Sequence, residues 1–392
     1  MTAGFSENKL FRKRFLTRRK ILVGAGFVFV DTAISNPSIW PLHETRELIL
    51  SAALVVNSQE HSLVWFDPDK IAKQSHFLAG FRGHSILQNP NTPNSFLVLS
   101  RRPGTIAIEV NTKSSSLVGG FECGSGRHLF GHGCFSRDGN YLFTTESDYA
   151  NGRGLVVVRD AVDYRVLDEW SSGGVGPHEI RLLPDGGTLV VANGGILTHP
   201  DRGRTPLNLD SMASNLAYID STSGELRDYF QVPEMKASIR HIDVSKDGTV
   251  AFAMQLQRSV AGHDRVVPLA GVHRPSEKLT LFDYPREVVA RLNDYTGGVA
   301  ISNPANVAAY ASPRGNLAVF WNFRSGKYLG YHALTDVCGV ASSLDESHFV
   351  LTNSFGQVRW IDAFTLKESR SSRIQKSDIR WDNHLLIARA DG

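Results

Sequence analysis

HGCFSRDGNYLFTTE (His132 to Glu146), HEIRLLPDGGTLVVAN (His178 to Asn193) and HIDVSKDGTVAFAMQ (His241 to Gln255) are three versions of one unit. Each opens on a histidine, runs through a short apolar-polar alternation, meets an Asp-Gly pair and continues into a second alternating run. Alternation of period two marks half-buried strands. Asp-Gly supplies the positive-φ positions of a tight hairpin. Outward from these three, weaker copies appear as HSILQNPNTPNSFLVLS from His84, AISNPANVAAYAS from Ala300 and GVASSLDESHFVLTN from Gly339. The units start at 84, 132, 178, 241, 298 and 339, so they are spaced by 48, 46, 63, 57 and 41 residues. That period, stretched by insertions, is the size of a four-stranded propeller blade. A β-helix turns over a shorter repeat, and a sandwich would not repeat one hairpin six times.

Six copies leave both ends of the chain over, and the ends complement each other. IRWDNHLLIARA (Ile379 to Ala390) reads as strand, as does ELILSAALVVNSQEHSLVWFDPD (Glu47 to Asp69). Pairing them closes a ring and removes the exposed edges of an open array. The expectation is an all-β, seven-bladed propeller over residues 45–392, with insertions near 194–214 and 257–276. Each insertion brings histidine and arginine (His199, Arg202, Arg204; His263, Arg265, His273, Arg274). Trp65, Trp170, Trp321 and Trp360, near third-strand ends, read as packing between blades.

The formal charge of +3 over 392 residues invites a nucleic-acid reading. Residues 1–35 hold seven basic and two acidic side chains, which leaves 35 basic against 37 acidic in the remainder. The excess sits in the leader, and no nucleic-acid footprint follows. The leader reads as an export signal. KRFLTRRK precedes ILVGAGFVFV (Ile21 to Val30), which is too short for a permanent membrane span. TRRKIL (Thr17 to Leu22) resembles a twin-arginine signal through Arg18 and Arg19. The expected location is the periplasm. Cys123 and Cys134 stand eleven residues apart, which leaves a disulfide and two separate buried thiols both open.

His84, His132, His178 and His241 begin four successive units. In a propeller, first strands line the central channel, so equivalent positions meet around its mouth. Four converging imidazoles suit a transition metal (Fe, Cu or Zn) or an anion; otherwise they satisfy inner-strand backbone groups or waters. Arg82, Arg127 and Arg240 lie close in sequence and favour a carboxylate-bearing ligand, while Glu179 adds a counter-charge. His384 is offset by a turn and is not placed in the channel. The hydrolytic, phosphate-loop and haem-attachment motifs are absent from the sequence.

TRRKIL, the histidine-led Asp-Gly hairpins, GPHEIRLLPDGGTLVVANGG (Gly176 to Gly195) and WDNHLL together resemble an exported bacterial family, domain of unknown function 1513. The resemblance implies a periplasmic seven-bladed propeller. It also implies periplasmic iron-uptake partners of the imelysin and di-haem oxidoreductase type. No catalytic residues carry over from it. The leading functional expectation is a non-enzymatic binding or scaffold propeller that assists iron acquisition, engaging a ligand or partner at the channel mouth and insertion loops. The alternative is a metal-dependent or redox enzyme built on the channel histidines.

Overall fold

Short strands joined by Asp- and Asn-based turns pair with their neighbours in sequence, except where the last strand joins the first, and this yields seven separate four-stranded antiparallel sheets. The computed structural model describes residues 46–70, 74–262 and 264–390. The export segment expected at 1–35, and His263, lie outside the described residues. Blades 1 to 6 begin with the strands Gly83–Gln88, Arg127–Phe135, Pro177–Leu182, Ala237–Val244, Gly298–Ser302 and Val337–Ser342. In blade 7 the strand Ile379–Ala390 pairs with Arg46–Val55, and Glu60–Phe66 and Gln74–Leu78 follow. Each of these first strands contacts the first strand of the next blade, and that of blade 7 contacts that of blade 1. The ring is therefore closed, as a seven-bladed propeller.

Local chemistry sets the turns. In blade 2 the Tyr141 amide donates to Ser136 Oγ (2.9 Å) and the Gly139 amide to the Ser136 carbonyl (3.0 Å), with Gly139 at φ 73°. In blades 1, 2, 3, 5 and 6 the third and fourth strands are joined by a different device. A side-chain oxygen on the last residue of the third strand accepts two following amides. Asp220 Oδ1 takes Thr222 and Ser223 (both 2.8 Å), and Asp362 Oδ1 takes Phe364 (3.0 Å) and Thr365 (2.7 Å). These Asx turns fix a tight link without glycine at every position.

Stability comes from apolar faces packed between blades. Leu97, Val156, Val191, Ala253, Val319 and Leu351 are fully buried on second and third strands. The tryptophans serve this packing: Trp321 stacks on Phe282 (5.6 Å between centroids) and meets Tyr310 edge-on (5.4 Å). The first insertion spans the gap between Thr188–Asn193 and Asn215–Asp220; the second lies between Val250–Leu256 and Ala270–His273. Among the described residues no helix is long and apolar enough to cross a membrane.

Candidate functional site

Regular antiparallel pairing alternates side chains between the two faces of a blade. The first strands break that rule near one point. Pairing register shifts between Gly83 and Ile86, Leu129 and Gly133, Pro177 and Glu179, and Ile239 and His241, and again opposite Ser51 to Ala53 at residues 382–384. Such bulges re-aim a side chain. Each of these five lies at or beside a histidine: His84, His132, His178, His241 and His384.

The five imidazoles converge inside the channel. Ring centroids lie 4.7 Å apart for His84–His132, 5.3 Å for His132–His178 and 4.7 Å for His178–His241. His384 sits 4.4 Å from His84, 4.7 Å from His132 and 4.5 Å from His241. The four sequence-expected histidines are thus brought together, buried rather than spread around an open mouth. His384 joins them, contrary to the sequence expectation. Gly131 makes the close approach feasible: a Cβ there would stand 2.7 Å from His84 Cδ2, and its φ is 94°. Its carbonyl accepts from Ser85 Oγ (2.6 Å), which pins blade 1 to blade 2 beside the site.

Glu179 is the carboxylate built against this group. Its Oε2 lies 3.0 Å from His241 Nδ1 and accepts the Ile242 amide (3.1 Å), while Oε1 lies 2.8 Å from Arg181 Nη2 and 3.6 Å from His132 Nδ1. Burial pushes Glu179 up, but Arg181, then His132 and His241, outweigh it and hold the carboxyl below its ordinary value. A carboxylate facing Nδ1 fixes that nitrogen as the donor and turns the Nε2 lone pair inward. His132 Nε2, His84 Nδ1, His178 Nδ1 and His384 Nε2 are all buried with no hydrogen-bond partner. One such orphan costs about 1–3 kcal/mol, and four in one cluster are ring nitrogens that a bound water, ion or ligand would satisfy.

The protonation state suits that role. Burial, reinforced by neighbouring imidazoles and arginines, drives His84, His178 and His384 well below the ordinary histidine value. Burial also brings His132 down to about 3, against the pull of Glu179. Neutral imidazoles are the form that binds metals. Two trios, His84–His132–His384 and His132–His178–His241, each offer donor atoms within 4.8 Å of one another. An ion about 2.0–2.1 Å from each nitrogen needs only modest contraction of that spacing. His132 belongs to both trios.

Beside the histidines lies a cavity of about 60 Å³. His84, His178 and His241 line it, with Asn383 from the closing strand. Arg101, Arg102, Arg204 and Arg240 line it as well, with Gln255 and Tyr295. Arg204 comes from the first insertion, whose course is held by Asn208: Oδ1 accepts the Leu197 amide (2.7 Å), and Nδ2 donates to the Gly195 carbonyl (2.9 Å).

The other expected ligand residues divide. Arg240 lines the cavity and donates to Gln255 Oε1 (3.0 Å). Arg82 does not line it; its guanidinium is held by Asp382 (2.5 and 3.1 Å) and ties blade 1 to the closing strand. Arg127 is directed elsewhere, paired with Glu169 on the outermost strand of blade 2 (2.5 and 2.8 Å). Arg101 and Arg102, on the connection after the second strand of blade 1, were not anticipated. Cys123, Cys134 and Cys338 are free thiols.

Among solved structures the chain is similar to "Kuenenia stuttgartiensis Hydrazine Synthase", at 14% identity and a TM-score of 0.58, covering 82% of this chain and 91% of that one. At that identity the likeness speaks to the propeller alone. No curated protein is significantly similar in sequence. The family model described as "Protein of unknown function (DUF1513)" matches residues 79–388, from the approach to blade 1 through the strand that closes the ring. The chain belongs to the DUF1513 family.

Proposed function

We propose that this propeller is a metalloprotein whose channel histidines hold a transition-metal ion with one side open to the adjoining cavity. The observation that carries the reading is the set of four buried imidazole nitrogens without partners, gathered from four blades. An all-imidazole donor set selects copper, zinc or iron over magnesium or calcium, which prefer oxygen. Glu179 acts through His132 and His241, orienting both rings and raising their basicity. The open side distinguishes the centre from a closed structural site and admits an exogenous ligand. Metal-dependent binding or chemistry is therefore favoured over a scaffold that works only through its loops. A periplasmic role in iron handling fits the same centre where iron is the ion it carries.

The test is metal analysis of the purified protein, followed by reloading of chelated protein with Cu(II), Zn(II) and Fe(II) separately. About one ion per chain is expected, with affinities rising from iron towards copper. Replacing His132, the member common to both trios, by alanine should weaken binding at least ~100-fold while far-UV circular dichroism stays that of a β protein. Failure of the wild-type protein to take up any of the three ions stoichiometrically would end the proposal.

A further inference from the structure

The arginines around the cavity outnumber the acids that face them. Arg101, Arg102, Arg204 and Arg240 all line it, and no carboxylate is among the lining residues. The acid that reaches any of them is Asp382, 3.5 Å from Arg101 Nη1, and Arg82 already holds both oxygens of that carboxylate. Arg240 is buried, and its Nε has no partner. Arg101 Nε and Arg102 Nη1 are likewise buried atoms without partners. Among the described residues the Arg102 side chain makes only a cation–π approach, to Phe130 at 5.9 Å from the ring centroid. Burial, then the neighbouring guanidiniums, brings Arg102 down to about 9; Arg240 falls to about 10 by burial foremost. Like charges held this close are costly without a counter-ion.

We infer that the cavity is a binding site for a small oxyanion, a carboxylate or phosphate-sized group, held by Arg101, Arg102 and Arg240 against the imidazole side of the channel. Guanidinium forks match such oxygens in pairs. The volume of about 60 Å³ exceeds the ~10–15 Å³ that one water requires and leaves room for a group of only a few heavy atoms. Gln255 and Tyr295, also among the lining residues, supply neutral polar groups. Arg204, exposed at the rim, adds attraction on approach. An anion there also offsets the repulsion between the arginines and a cation among the histidines. The inference rests on the arginines alone and does not require that the metal proposal hold.

Chelated protein titrated calorimetrically with inorganic phosphate, and separately with acetate, at constant ionic strength set by chloride, tests it. Saturable binding of at least one anion near one per chain is expected. Arg102→Gln and Arg240→Gln should each weaken it at least ~10-fold, and Arg127→Gln, outside the cavity, should leave it unchanged. Among the described residues the Arg102 side chain has no hydrogen-bond partner, so its variant stays informative if Arg240→Gln fails to fold. Three results would each overturn the inference: no saturable binding of either anion, equal loss in the Arg127 variant, or binding confined to metal-loaded protein. The last would place the anion on the metal instead.

Discussion

Blades 7, 1, 2, 3 and 4 and blades 5 and 6 all turn a first strand to the channel, but with different chemistry. The first arc delivers five imidazoles, each at or beside a break in strand register. Blade 5 pairs regularly from Gly298 to Ser302, and its first strand, GVAIS, is buried throughout. Blade 6 does break register, between Val337 and Gly339, but the residue it re-aims is Cys338. That thiol approaches the carbonyls of Trp381 (3.5 Å) and Asp382 (3.3 Å), and burial raises it far above the ordinary cysteine value. A thiol so raised stays protonated where no metal or cation draws off its proton, and it is the thiolate that acts as nucleophile. The contrast shows that a bulge supplies direction and residue identity supplies chemistry: five of the seven first strands bring a histidine to the channel, and the other two bring apolar residues and a thiol.

The largest expected effect lies within the histidine arc. Glu179→Gln keeps the shape but removes the charge facing His132 and His241. Metal affinity should fall about 10–100-fold, measured by competition with a chromophoric chelator. An unchanged affinity would mean that the carboxylate merely balances Arg181. Next is acid stability of chelated protein. Unfolded histidines take up protons near pH 6.5, whereas His132 does so in the fold only near 3 and His84, His178 and His384 well below the ordinary value. The unfolded state therefore binds more protons below about pH 6.5, and stability must drop as pH falls through that point. Urea unfolding at pH 7.5, 6.5 and 5.5 should show the loss, up to ~1.4 kcal/mol per pH unit for each such imidazole. His128 and His273, also lowered by burial, add to it. A level profile across that range would show that the cluster accepts protons in place. The smallest effect belongs to the apolar arc. Cys338→Ala should cost no more than about 1 kcal/mol and leave metal affinity alone, which sharpens the distinction between the arcs. Metal loss in that variant would erase it.

The propeller was legible because one hairpin recurs with its Asp-Gly turn intact, so strand boundaries could be aligned without knowing any contact. The same alignment made His84, His132, His178 and His241 equivalent. His384 escaped it for a physical reason: the first strand of blade 7 and its hairpin partner stand more than 300 residues apart, so no turn follows the histidine to set its register. Arg102 was invisible for another. It sits on a connection whose reach into the channel depends on how blades 1, 2 and 7 meet, and sequence proximity to a histidine, which drew attention to Arg127, says nothing of the direction in which a side chain leaves a twisted strand.

Closure by residues 379–390 has a consequence for biogenesis. That segment both seals the circle and carries His384, so the ribosome must have delivered all seven blades' worth of chain before the fifth imidazole exists in place. A nascent chain exposes at most four of them on an unsealed arc. Assembly of the full five-histidine cluster is thereby tied to translation of that strand, and a product that stops short of it would keep His132, His178 and His241 but lack the trio that uses His384.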